Sequence, residues 1–284
     1  MGSPVSTMRE RSDRCPGVLR PWPAEDGLLV RLRLIGGRIG ASVLQSLLDV
    51  AEEYGDGRVH VTARANLQVR SLPDVDGRLR PDALAALERT GLLPSRTHEL
   101  VRNVMVSPQT GLAGGRADLR PVAEELDRLL CADPALATLP GRFLVVLDDG
   151  RGDLLERSCD LGLVALGGGS AQLRVGSDWG PVVPLDEAAA RIVDLAGAFV
   201  ARRGSGPCAP WHVDELDGRL TAPVAADDRL PRPGGPLPFG VVPGGRHVPV
   251  SYAGLDRAAV TALVADRLVV TPWRGVLVPE EGHD

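Results

Sequence analysis

The chain has 284 residues, with Lys+Arg 32 against Asp+Glu 37 and a formal net charge of −5. It contains no lysine, so every basic residue is an arginine. A net-acidic chain with 3% aromatic residues lacks the cationic surface and the stacking platforms of a general nucleic-acid binder, and no apolar run approaches the ~18 residues of a membrane span.

Length predicts roughly two domains at about 150 residues each. Residues 1–14 are polar, lack the apolar core of a secretory signal and read as a disordered leader of a cytoplasmic protein. The leader does carry Met-Gly-x-x-x-Ser (Gly2, Ser6), the pattern of N-myristoylation. Cys15, Cys131, Cys159 and Cys208 are scattered. They have neither the spacing of a disulfide framework nor that of a local metal site, and read as buried thiols.

In chain order, 28–34 alternates and predicts a strand with Arg31 and Arg33 on one face. Ser42 and Gln45 form a capping-box pattern ahead of a helical stripe that Gly55 ends. Strands follow over 58–63 and 66–72, then a short helix over 81–90. Asp118 caps a helix, 143–147 is a buried strand, and 161–166 with 171–175 flank Gly167-Gly168-Gly169 as a hairpin. Asp186 caps a longer helix. The Gly/Pro-rich stretch 204–238 reads as a linker. Beyond it the opening pattern returns in shortened form: a strand over 247–251, a helix over 255–265, and strands over 268–270 and 275–278. This predicts an internal duplication about a pseudo-twofold axis, with Arg64 and Arg274 at related central positions.

Four clusters carry candidate chemistry. Thr62-x-Arg64-x-Asn66-x-Gln68 places Asn66 and Gln68 on one strand face beside Arg64, a row of donors suited to carboxylates or a small oxyanion. Spacing alone favours a solvated strand face with surface pairs. Arg102-Asn103 is embedded in an apolar run, so Arg102 is either a buried ion pair or a site residue. Arg142 precedes a buried strand, and Arg274 closes Thr271-Pro272-Trp273-Arg274. The histidines form no metal-ligand spacing.

Taken in order, Thr62-x-Arg64-x-Asn66-x-Gln68, Arg102-Asn103-Val104 and Leu139-Pro140-x-Arg142-Phe143 resemble the nitrite/sulfite reductase superfamily. Cys15-Pro16-Gly17, Asp148-Asp149-Gly150-Arg151-Gly152-Asp153 and Thr271-Pro272-Trp273-Arg274 point to its precorrin-3B synthase branch, which serves aerobic cobalamin biosynthesis. The resemblance covers about residues 13 to 280. It implies an α+β fold: a first ferredoxin-like half-domain over 15–75, an α/β domain over 76–203, the 204–238 linker, and a second half-domain over 239–284.

It also implies an oxidoreductase of monooxygenase type. A polycarboxylate tetrapyrrole (precorrin-3A) would be held by Arg64, Asn66, Gln68, Arg102, Asn103, Arg142 and Arg274. Relatives use a [4Fe–4S] cluster, and the reductases also siroheme. None of the four cysteines fits the family's Cys-x5-Cys and Cys-x3-Cys spacing, so no cluster ligand is carried over, no catalytic residue is assigned, and the chain reads as truncated before those cysteines. A separate cluster-bearing chain is then an expected partner. The alternatives are a tetrapyrrole- or partner-binding module without redox activity, and a sulfite or nitrite reductase fragment. Leu144 stands where sulfite reductases often carry a basic residue, which argues against the latter.

Overall fold

The computed structural model describes residues 13–206 and 208–280. The leader expected over 1–14 lies outside them except for Asp13 and Arg14. A hairpin of β1 (Trp22–Ala24) and β2 (Gly27–Leu32) opens the fold. In β2, Leu28, Val30 and Leu32 are buried while Leu29 and Arg31 are only partly so, the alternation that 28–34 predicts. After a tight turn at Ile35–Gly37, β3 (Arg38–Gly40) leads into α1 (Ala41–Tyr54). Gly37, at φ 73°, packs so closely on the Val270 carbonyl that any Cβ would collide with it.

The capping box is not used. Gly40 is extended, pairs in a sheet and takes the N-cap position, so Ser42 falls inside the helix. Next come β4 (His60–Val61), β5 (Leu67–Leu72), the small hairpin β6 (Asp74–Val75) with β7 (Arg78–Leu79), and α2 (Pro81–Arg89).

The middle of the chain forms β8 (Val104–Val106), α3 (Arg120–Ala132), β9 (Val145–Asp148), β10 (Leu161–Gly167), β11 (Ser170–Val175), β12 (Asp178–Pro184) and α4 (Leu185–Arg203). The sheet order is β12-β11-β10-β9-β8. β8, β9 and β10 run parallel, and the rest is antiparallel. Asp118 accepts the Arg120 N–H at 2.9 Å at the start of α3. Asp186 lies within the first turn of α4, where Pro184 is the N-cap.

The last stretch forms β13 (Gly240–Val242), β14 (Gly245–Pro249), α5 (Arg257–Thr261), β15 (Arg267–Thr271) and β16 (Gly275–Pro279). The helix read over 255–265 is shorter than expected. Leu255 is drawn into a β-bridge with Val59, and Asp256 caps the helix only from Arg257.

The two half-domain sheets are β1-β2-β5-β4 and β13-β14-β16-β15-β3. β3 thus leaves its own half to pair with β15, and Leu255, just ahead of α5, pairs back with Val59, just ahead of β4. Each half lends the other an edge. The inner faces share one core, in which Leu44, Leu47 and Leu48 meet Leu67, Val69, Val270 and Val276.

Register fixes the internal correspondence. Leu67 opposes Leu32 and Val61, as Val276 opposes Val248 and Val270. Thr62, Ala63, Arg64, Ala65 and Asn66 therefore correspond to Thr271, Pro272, Trp273, Arg274 and Gly275. Ala65 and Arg274 share the same left-handed backbone, with φ 55° and 57°. Trp273, not Arg274, takes the place of Arg64, which corrects the expected pairing by one residue.

The stretch 204–238 packs on its neighbours. Gln172 donates to the Ala225 carbonyl at 2.9 Å and accepts the Asp227 N–H at 2.9 Å. His247 lies within hydrogen-bonding distance of the Leu237 and Pro238 carbonyls.

Candidate functional site

The turn between β4 and β5 is held by one hydroxyl. Thr62 Oγ1 accepts the Arg64 N–H at 3.3 Å and the Asn66 N–H at 3.1 Å. This fixes Arg64 at the tip and aims Asn66 inward. Asn66 Oδ1 accepts the Leu34 N–H at 2.9 Å, and its Nδ2 donates to Asn103 Oδ1 at 3.4 Å. Asn103 Nδ2 donates to the Gly141 carbonyl at 2.9 Å.

Arg33 completes the network, donating to Asn103 Oδ1 at 3.0 Å and to the Pro16 and Gly141 carbonyls. Burial, helped by the neighbouring Arg31 charge, pushes the Arg33 pKa down to about 10. Arg64 Nη1 donates to the Arg142 carbonyl at 2.9 Å, and the Arg142 guanidinium stands 5.3 Å from the Trp211 ring centroid. Arg64, Asn66, Asn103 and Arg142 are thus brought together. Gln68 lies beside them on β5, opposite Arg31 on one side and His60 on the other.

Arg31 is the unusual member. Its Nε is buried and has no hydrogen-bond partner. Burial lowers its pKa, and the charge of Arg64 lowers it further. Among the described residues, Arg31, Arg64 and Arg142 make no ion pair with a carboxylate. Arg38, Arg102, Arg120, Arg151 and Arg257 all do.

Arg102 does not join them. It donates through Nε and Nη2 to both carboxylate oxygens of Asp127 on α3, at 2.6 and 2.8 Å. Neighbours along an extended segment point to opposite sides. Asn103 faces the arginine cluster, so Arg102 follows Val104 and Val106 to the helix side. Arg274 makes none of these hydrogen bonds; its guanidinium is 4.0 Å from the Tyr252 ring centroid and its Nε is unpartnered. Trp273, in the equivalent place to Arg64, packs on Met105, Leu144, Val146, Leu154 and Cys159.

Residues 22–88, from β1 to the last turn of α2, match the model of the nitrite/sulfite reductase ferredoxin-like half domain. A precorrin-3B synthase of Sinorhizobium sp is 31% identical over 150 residues, a match covering 51% of this chain and 30% of that protein. The NirA protein of Mycobacterium tuberculosis shares the fold, with a TM-score of 0.63 over 94% of this chain and 60% of that one, at 18% identity. The first part of the chain thus matches the ferredoxin-like half domain of the nitrite/sulfite reductases, and the whole shares its fold with NirA. The chain spans less than a third of the curated relative it matches.

Some site residues escaped the sequence reading. Asp160 Oδ2 accepts the Leu144 N–H at 2.8 Å and Oδ1 accepts the Val213 N–H at 3.2 Å, with His212 Nε2 3.8 Å from Oδ1. Burial pushes the Asp160 carboxyl up to about 6, against the opposing pull of His212, the two N–H donors and Arg64. Asp160 therefore clamps the strand that follows Arg142 to the segment carrying Trp211 and His212. The available signals were an acid just before the apolar run 161–166 and a tryptophan in a chain with only four.

The cysteines do not fit an iron–sulfur cluster. Cys15 lies beside the arginines, Cys131 on α3 near Asp127, Cys159 is buried with its thiol pushed up to about 11 by desolvation, and Cys208 is exposed. Among the described residues, no three or more His, Cys, Asp or Glu gather as a metal site. No described helix is long and apolar enough to cross a membrane.

Proposed function

We propose that the chain is the tetrapyrrole-binding part of a precorrin-3B synthase-like oxidoreductase, and that the arginine cluster holds the acid arms of precorrin-3A. The observation that carries this reading is the trio Arg31, Arg64 and Arg142. Arg31 and Arg64 feel each other's charge, Arg64 reaches the Arg142 carbonyl, and none of the three has a carboxylate ion-pair partner among the described residues. Like charges so placed repel, and a ligand with several carboxylates relieves that repulsion while satisfying the orphan Nε of Arg31.

Within this reading Arg64 and Arg142 bind carboxylates at the rim and Arg31 binds one deeper. Gln68 donates alongside, and Arg33, Asn66 and Asn103 position the others. Leu144, packed under Trp273 rather than presenting a charge, supports a large organic anion over sulfite or nitrite. Oxidation of precorrin-3A with dioxygen needs an electron-transfer centre, and that step is assigned to no residue described here. A cluster-bearing part, on a further segment or on a separate partner chain, would supply it.

Uroporphyrin, a stable polycarboxylate tetrapyrrole, serves as the probe. Arg64→Gln should weaken its binding by about 1.5–3 kcal/mol, the worth of a charged hydrogen bond. Equal affinity for the variant and the wild type, with both folded, would remove the site assignment.

A further inference from the structure

A second arginine-lined cavity shares only Arg33 with the residues of the Arg64 cluster. We infer that this cleft, between the exchanged strand β3 and helix α3, is a separate binding site for a small organic anion with an apolar body. Its volume is about 290 Å³, at the lower end of small-molecule sites, which suits one ring or a short chain rather than a macrocycle with its acid arms.

The walls come from three parts of the fold. The turn at Ile35 and β3 form one side, the start of β15 a second, and the end of β8 with α3 the third. Ladder pairs Arg267↔Gly40, Leu268↔Ile39 and Val269↔Arg38 lock the first two walls together. The cleft is therefore preformed and has no easy way to collapse.

Its chemistry is two-sided. Ile35, Leu92 and Val106 give it an apolar floor, and five arginines line it against a single acid, Glu124. Three of the five are already paired. Arg38 reaches Glu124 at 2.8 Å, Arg120 reaches Asp118 at 2.9 Å, and Arg102 is held by Asp127. Arg33 is spent on Asn103 and backbone carbonyls. Arg267, exposed at the mouth, has no carboxylate partner among the described residues. A carboxylate, sulfonate or phosphate would meet Arg267 at the mouth while its apolar portion covers the floor.

This site is independent of the tetrapyrrole reading. The test is equilibrium titration of the full chain with 1-anilinonaphthalene-8-sulfonate, an aromatic anion whose fluorescence rises in apolar surroundings. A saturable site that persists in Arg64→Gln is expected, whatever dye the arginine cluster also takes up. Arg267→Glu, at an exposed residue, should weaken it about tenfold or more by charge reversal. Leu92→Trp, which fills the floor, should abolish it, with circular dichroism checking that each variant folds. Arg64→Gln should leave the dye site unchanged. Absence of saturable binding, unchanged affinity in folded Arg267→Glu, or loss of the site in Arg64→Gln instead would each overturn the inference. Should Leu92→Trp fail to fold, the Arg267→Glu result decides alone.

Discussion

Arg31 offers a test in which stability and binding move in opposite directions. Its Nε is buried without an acceptor, and its charge is opposed by both desolvation and Arg64. Leaving a buried donor unpaired costs about 1–3 kcal/mol. The guanidinium is only partly enclosed, which places Arg31 at the lower end, about 1 kcal/mol. Arg31→Met keeps the stem and removes the burden. The variant should melt about 2–4 °C higher than the wild type, the shift that ~1 kcal/mol gives a chain of this size. Loss of a charged hydrogen bond should weaken uroporphyrin binding by about 1.5–3 kcal/mol, roughly ten- to a hundredfold. Thermal unfolding followed by circular dichroism and a fluorescence-quenching titration read the two effects on the same preparations. A variant that is less stable yet binds as before would mean that Arg31 serves the fold, and the anion-site reasoning would fail.

Arg102 should behave in the reverse sense. Arg102→Met strands the Asp127 carboxylate, whose side chain is 22% exposed, and should cost about 2–3 kcal/mol, somewhat less than the loss of a fully buried pair. Uroporphyrin affinity should stay the same, and a drop in affinity without a drop in urea midpoint would return Arg102 to the site. Asp153 gives a pH signature. Burial pushes its carboxyl up to about 7 from 3.8, despite the hydrogen bond from Ser107. A raised folded pKa means the folded protein keeps a proton that the unfolded chain releases. The contribution is thus full below about pH 4 and lost as pH rises through about 7, by up to about 4 kcal/mol. Asp153→Asn should match the wild type most closely in urea unfolding at about pH 4 and exceed it increasingly up to about pH 8, and a constant gap between the two would refute the assignment.

The strands and helices were legible where one face is buried, because alternation in β2 and the stripe of α1 are local patterns. The exchange was not. β3 has three residues, and its partner at Arg267–Val269 lies more than two hundred positions away, so no window of sequence contains both. The same distance hid the one-residue offset that puts Trp273, not Arg274, opposite Arg64. Arg64, Asn66, Asn103 and Arg142 could be picked out because the motifs carry them in order. The split between Arg102 and Asn103 follows from strand parity and was in principle readable, but Asp127 as the partner was not. Arg31 and Arg33 were placed on one face correctly, yet nothing local told of the burial that separates them from surface arginines. Trp211 and His212 sit in a stretch whose glycines and prolines signal irregular backbone, and irregular backbone can pack as firmly as a strand.

The reciprocal edges of the two half-domain sheets bear on how the chain is made. During synthesis the first half emerges with β3 unpaired, and its complement follows only after the whole middle region and the 204–238 stretch. Until then an edge beside Ile39 and the Leu44–Leu48 core is open to any passing strand. The closing contacts have very high sequence separation, which slows folding and prolongs that exposure. Expressing residues 13–89 alone would therefore yield a sheet permanently short of its neighbour, prone to self-association. Supplying residues 239–280 as a second polypeptide should rescue it, so the two halves form a natural pair for fragment complementation.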